Sequence, residues 1–350
     1  MKDAPAGSGW IQSPYFDLAA FLLGPLIALL GGLMMFGGFQ RQLAVVWFLL
    51  LFSHYLSTAT FLFWEDNRQY HRARWKRYYA APLLVAAATV VVSHPRLIYV
   101  SATVFFVWNT YHVARQGCGI LSLYRNRTGA IEERHRSIAN MAILSTSFWC
   151  ATANLQSHVQ LTRLLAWIHP SFAITMWCTL GGLMLVSWVR LALDLHRRRA
   201  RPSLPECAFL MTSLTLFHPY LWVRDSLQAT QLMLLPHFIQ YLAIVWLVQR
   251  RKFRTPQQLP ISRALRRLAS NPLLLATIAT GTLTPLYLMS RHPMFSIFAF
   301  VVGQMHFYMD ALLWAFKDPH VRRTMGPQLG VQVAPRSVSE TRSDVQPAGT

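Results

Sequence analysis

The sequence predicts an all-α fold: a polytopic integral membrane helix bundle of about ten transmembrane helices, with N-terminus and C-terminus both inside. Three observations carry this. Of 350 residues, 53% are hydrophobic and only 13% are charged, about half the usual charged share of roughly 25%. Too little polar surface remains to coat a soluble fold of this size. Apolar runs near the roughly 20 residues that cross a bilayer recur along the chain. The basic residues fall in the gaps between those runs, and they do so in alternation.

In order, the apolar runs cover about 15–38, 42–64, 79–94, 97–122, 137–154, 171–194, 205–222, 228–249, 272–290 and 294–316. The first follows a mildly polar start and has no small-residue cleavage site, so it reads as a span and not as a removed leader. The third and fifth are short, which allows a count of nine. Stretches such as AVVWFLLLF show no two-residue alternation, so the other membrane solution, a closed barrel, is not predicted. Orientation follows from the positive charges. The gap after the second run holds Arg68, Arg72, Arg74, Lys76 and Arg77, and the gap after the fourth holds Arg125, Arg127, Arg134 and Arg136. Arg197, Arg198, Arg199 and Arg201 follow the sixth; Arg250, Arg251, Lys252, Arg254, Arg263, Arg266 and Arg267 follow the eighth. The opposite gaps hold only Arg41, Arg96, Arg163, Arg224 and Arg291, one apiece. That places the chain in an inner (cytoplasmic) membrane with the N-terminus inside.

Residues 1–323 read as a single transmembrane domain. The Ser-, Pro- and Gln-rich residues 324–350 read as a disordered tail. The net charge of +20 would suit nucleic acid if it formed a stripe; distributed as topology signals, it excludes that partner and leaves the lipid bilayer. Cys118, Cys150, Cys178 and Cys207 lie in or beside apolar runs without a C-x-x-C pair, so neither a disulfide framework nor a thiolate zinc site is expected.

The histidines are the informative residues. His54, His112, His237 and His306 each fall inside an apolar run, on the second, fourth, eighth and tenth spans, which all run from outside to inside. The next basic residue beyond the span follows each at a similar distance: Arg68, Arg125, Arg250 and Lys317. At about 1.5 Å per residue the four imidazoles share one depth, roughly 15–20 Å along the helix from the basic clusters. Ionisable groups at that depth are costly and point to function, and imidazole suits iron, copper and zinc. Four imidazoles from four helices therefore make a candidate metal cage. One turn inward on the same faces stand Thr58, Gln116, Tyr241 and Asp310, with Gln116 or Asp310 placed to accept an imidazole N–H and fix its tautomer. For each histidine alone, an interhelical hydrogen bond is the competing reading.

Other features are read more plainly. His94, His158, His169, His218 and His292 group at the outer face, while His135 and His196 lie among inner-face arginines. In WEDNRQYHRARW, His71 with Glu65 and Asp66 reads as a solvated interfacial segment. Gly117 and Gly119 allow close helix approach, Pro236 is placed to kink the helix of His237, and Trp314 reads as an interfacial anchor. No two histidines are three or four residues apart, which disfavours the multi-histidine di-iron pattern of membrane desaturases.

Two resemblances bear on function. The layout of four membrane-embedded histidines resembles the Brp/Blh family of bacterial β-carotene dioxygenases, which implies one iron held by four histidines and oxidative cleavage of a carotenoid. Locally, SPYFDL, YHVARQGCGI and HFYMDALLW resemble segments of uncharacterised bacterial polytopic proteins and imply no activity. The expectation is a membrane-embedded metal-dependent oxygenase acting on a lipid or isoprenoid, with a hydrophobic small molecule as substrate. His54, His112, His237 and His306 are its metal ligands, with Tyr241, Gln116 and Asp310 orienting ligands or bound oxygen. Fe(II) is the expected metal, with haem and zinc open. A proton-linked transporter, a b-type haem electron carrier and a structural membrane protein stand as alternatives.

Overall fold

A computed structural model describes residues 8–94, 97–128, 133–153, 171–198, 202–252 and 293–330, together with Ala264. Helices account for the regular structure, and no strand occurs among the described residues. The chain begins with α1 (Pro14–Asp17), whose first turn is capped by the Ser13 hydroxyl accepting from the Phe16 amide. Asp17 is fully buried and accepts from the amides of Ile11 and Gln12 at 2.7 and 3.0 Å, which pins the entry segment. A wide turn over Leu18–Leu22 then leads into α2 (Gly24–Phe36), and the two halves bend by 52°. Pro25 lies in the first turn of α2, where its missing N–H costs nothing.

The chain continues through α3 (Gln40–Thr60), α4 (Glu65–Ala73), α5 (Ala81–Val92), α6 (Ile98–Thr128) and α7 (Glu133–Thr152). After these come α8 (Ser171–Arg197), α9 (Leu204–Thr215), the single turn α10 (Pro219–Trp222) and α11 (Ser226–Lys252). The described residues close with α12 (Pro293–Leu313) and α13 (Pro319–Leu329). Every expected span within the described residues coincides with a helix or a broken pair of helices. The expected span 272–290 lies outside them. Residues 324–329, expected to belong to a disordered tail, are instead helical: α13 runs through Leu329 and ends at Gly330, whose φ of 71° closes the helix in the left-handed region; residues 331–350 lie outside the described part.

Helix α11 is the axis of the packing. It lies against α2, α3 and α13, while α12 packs on α3, α5 and α6, and α7 joins α6 to α8. At one end of α6 to α9 a buried ion network ties the four helices together. Glu206 accepts from Arg125 Nε at 2.9 Å and from Arg198 at 3.2 Å, and Asp194 pairs with Arg198 and with His135.

Two helices are long and apolar enough to cross a membrane, Phe172–Arg197 and Ser226–Lys252, and a third if the bent pair Pro14–Leu22 and Gly24–Phe36 is one broken span. Among the described residues, fewer helices meet this test than the ten spans read from the sequence. Helices α5 and α9 have only 12 residues each. Helix α6 carries Asn109, His112, Arg115 and Gln116 within its length. The two spanning helices differ in surroundings: 72% of the apolar window of α11 is buried, against 6% for α8. Leu183, Leu185, Val186 and Val189 of α8, and Leu83 and Leu84 of α5, are exposed.

Candidate metal centre

The four histidines come from α3, α6, α11 and α12, and their rings converge. His54 and His306 have ring centroids 4.2 Å apart, His54 and His237 5.1 Å, His112 and His237 5.3 Å, and His112 and His306 5.4 Å. One ring nitrogen from each of His54, His112 and His306 lies within 4.8 Å of the other two; His237 stands outside that trio of nitrogens, its ring packed against those of His54 and His112. His54, His237 and His306 are buried, and His112 is only 11% exposed.

Packing sets this convergence. Gly303, one turn before His306, lets α12 approach closely: a Cβ there would stand 2.7 Å from Phe105 Cε2 and 3.3 Å from the Tyr55 hydroxyl. Of the two glycines on α6, Gly117 packs close to Ser213 of α9, whereas nothing lies within 4 Å of a Cβ on Gly119. Only Gly117 has the close-packing role read from the sequence. Pro236, inside α11 and buried, adjoins His237.

Each of the four imidazoles carries one buried nitrogen with no hydrogen-bond partner: His54 Nδ1, His112 Nε2, His237 Nδ1 and His306 Nε2. An unsatisfied polar atom costs about 1–3 kcal/mol when buried, so four in one cluster demand an explanation. The other nitrogen of His306, Nδ1, lies 3.1 Å from Thr58 Oγ1.

The residues one turn inward behave unequally. Thr58, Tyr241 and Asp310 form one cluster, with Thr58 Oγ1 2.6 Å from the Tyr241 hydroxyl, which donates to Asp310 Oδ1 at 2.7 Å; Thr58 also donates to Oδ1 at 3.3 Å. Asp310 Oδ2 then faces His306 Nε2 at 3.4 Å and His112 Nε2 at 3.7 Å. Gln116 does not reach an imidazole; its amide donates to the His237 carbonyl at 3.2 Å and steadies the helix instead.

Trp314 is no surface anchor: its indole N–H donates to the Tyr241 hydroxyl at 3.3 Å. Sequence reasoning also passed over the walls of the site. Tyr55 lies 4.9 Å from His306, Phe238 5.1 Å from His54, and Phe307 4.8 Å from His112, centroid to centroid. A signal was present, since Tyr55, Phe238 and Phe307 each directly follow one of the four histidines.

The remaining histidines serve elsewhere. Both His218 nitrogens are engaged, by the Pro25 carbonyl and the Trp222 indole. His71 is buried and stacked on Tyr78 at 4.0 Å, not solvated as expected. The side chains of Glu65 and Asp66, with His158, His169 and His292, lie outside the described residues.

The donor set fits a metal ion. Four buried or largely buried imidazoles, each with one unpartnered nitrogen and with aromatic rings around them, are a borderline-soft donor set of the kind suited to iron, copper or zinc. No family model, curated protein or solved structure matches the chain.

Proposed function

We propose that the chain is a membrane-embedded metalloenzyme, a histidine-ligated non-haem iron oxygenase of about ten spans in an inner membrane, acting on a lipid or isoprenoid. One observation carries this reading: four buried imidazoles on four helices, each with an orphaned nitrogen. His54, His112, His237 and His306 would hold the ion. Iron(II) held there supplies dioxygen activation.

The protein's own residues do the rest. Tyr241 and Thr58 fix the Asp310 carboxylate beside two of the rings, and its negative charge offsets that of a divalent ion in a medium of low dielectric. Tyr55, Phe238 and Phe307 keep water away and leave an apolar wall for an apolar substrate. A cavity of about 160 Å³ lies between α2, α3 and α11, lined by Met35, Leu43, Trp47 and Leu235 together with Gln40, Gln228 and Gln231. Trp47 contacts Phe238, which in turn contacts His54, so these two rings stand between the cavity and the centre. Apolar faces turned outward on α5 and α8 support the lipid setting, since exposed patches of that size mark an interaction with an apolar phase.

The test is metal analysis with an optical spectrum on detergent-purified wild type, His112→Ala and His306→Ala. About one iron per chain in wild type, lost in both variants and without a Soret band, is expected. Metal retained by both variants, or none in wild type, defeats the reading. A second reading, a proton-linked carrier, draws on the continuous contacts from Asp310 through Thr58 to His306; it predicts no metal and a proton flux abolished in Asp310→Asn.

A further inference from the structure

We infer that Asp310 is itself a ligand, through Oδ2, so that the centre is four imidazoles and one carboxylate. This rests on the metal-centre reading. The argument is one of distance and direction. Oδ2 is 3.4 Å from His306 Nε2 and 3.7 Å from His112 Nε2, yet neither nitrogen makes a hydrogen bond. The His112 contact is too long for a hydrogen bond, and the His306 contact, though short enough, lacks the direction of one.

Those separations match atoms that share an ion. Two ligands each about 2.1 Å from one metal stand about 3.0 Å apart at a right angle, about 3.4 Å at the tetrahedral angle and about 4.2 Å when opposite. The carboxylate is also oriented as a monodentate ligand should be. Both hydroxyl bonds, from Tyr241 and Thr58, fall on Oδ1, which leaves Oδ2 toward the rings. Thr58 further binds His306 Nδ1, so one hydroxyl steers two ligands at once. His306 and Asp310 are four residues apart on α12 and share a helix face. Five protein ligands on a six-coordinate ion leave one open position, and the single carboxylate reduces the charge of a divalent ion by one.

Cobalt(II) titration of the detergent-purified full chain, followed by its visible ligand-field bands, tests this. Asp310→Asn keeps a carbonyl oxygen for the Tyr241 hydroxyl but offers the ion a poor ligand. The expected result is shifted bands and an affinity loss beyond the roughly 10–100-fold typical of losing an outer partner. In Asp310→Ala, added formate is expected to restore bands of the wild-type kind by filling the vacated position. Wild-type bands in Asp310→Asn, or no formate effect in Asp310→Ala, overturn the assignment while leaving the four-histidine centre intact. Failure of wild type itself to bind cobalt overturns both.

Discussion

Tyr241→Phe removes one oxygen atom and should be felt twice. The hydroxyl makes three polar contacts: 2.7 Å to Asp310, 2.6 Å to Thr58 and 3.3 Å from the Trp314 indole. The bond to a carboxylate is worth about 1.5–3 kcal/mol and each neutral one about 1. Thr58 keeps other partners in His306, Asp310 and its own helix, so its loss is mild; the Trp314 N–H loses the acceptor described here. A net cost of about 3 kcal/mol follows. The second effect is on the ion: with Oδ1 held only by Thr58, the carboxylate swings, and metal affinity should fall about 10–100-fold. Both are measured on one preparation, by the thermal midpoint of the detergent-solubilised apo chain and by cobalt titration. Tyr220→Phe is the control, because its hydroxyl bonds Thr230 at 2.7 Å away from the site; it should cost about 1 kcal/mol and leave cobalt binding unchanged. Equal behaviour of the two variants in both assays would refute the role given to the cluster.

Three further outcomes are expected. Gly303→Val, which drives a side chain toward Phe105, should cost about 1–3 kcal/mol by overpacking and weaken cobalt binding; Gly119→Val, where the first added carbon meets open space, should leave the titration unchanged. Glu206→Leu leaves Arg125, 1% exposed, without its carboxylate and should cost about 3–5 kcal/mol, whereas adding Arg125→Met should recover part of the lost thermal midpoint. Burial, then neighbouring His320, pushes the His71 imidazole down from 6.5 to about 4. The unfolded chain thus takes up that proton first, and stability present above pH 6.5 is lost as pH falls toward 4. With solvent screening the loss is about 2 kcal/mol, and His71→Gln should flatten that part of the pH–midpoint curve.

Much of this was legible in the sequence. Apolar runs place the helices because burial and lipid both select the same residues, and helical rise converts the spacing from His54, His112, His237 and His306 to the next basic residue into a common depth. Depth is one coordinate of three. Whether four rings face one another depends on helix rotation, set by contacts such as Gly303 against Phe105 that no periodicity announces. Gln116 shows the limit: its position one turn from His112 matches that of Asp310 from His306, yet it bonds a carbonyl of α11. Hydropathy has its own limit at α6, where Asn109, His112, Arg115 and Gln116 lower the apolarity until length and composition alone no longer mark it as a span.

The four histidines sit at positions 54, 112, 237 and 306, on helices far apart in the order of synthesis. A growing chain that has made α3, α6 and α11 holds three of the rings and lacks both His306 and the Asp310 carboxylate, which arrive together on α12. On the proposed reading, capture of an ion would therefore wait for α12 to dock. The centre would be a clasp fastened late in biogenesis, and a chain interrupted before α12 would present it incomplete.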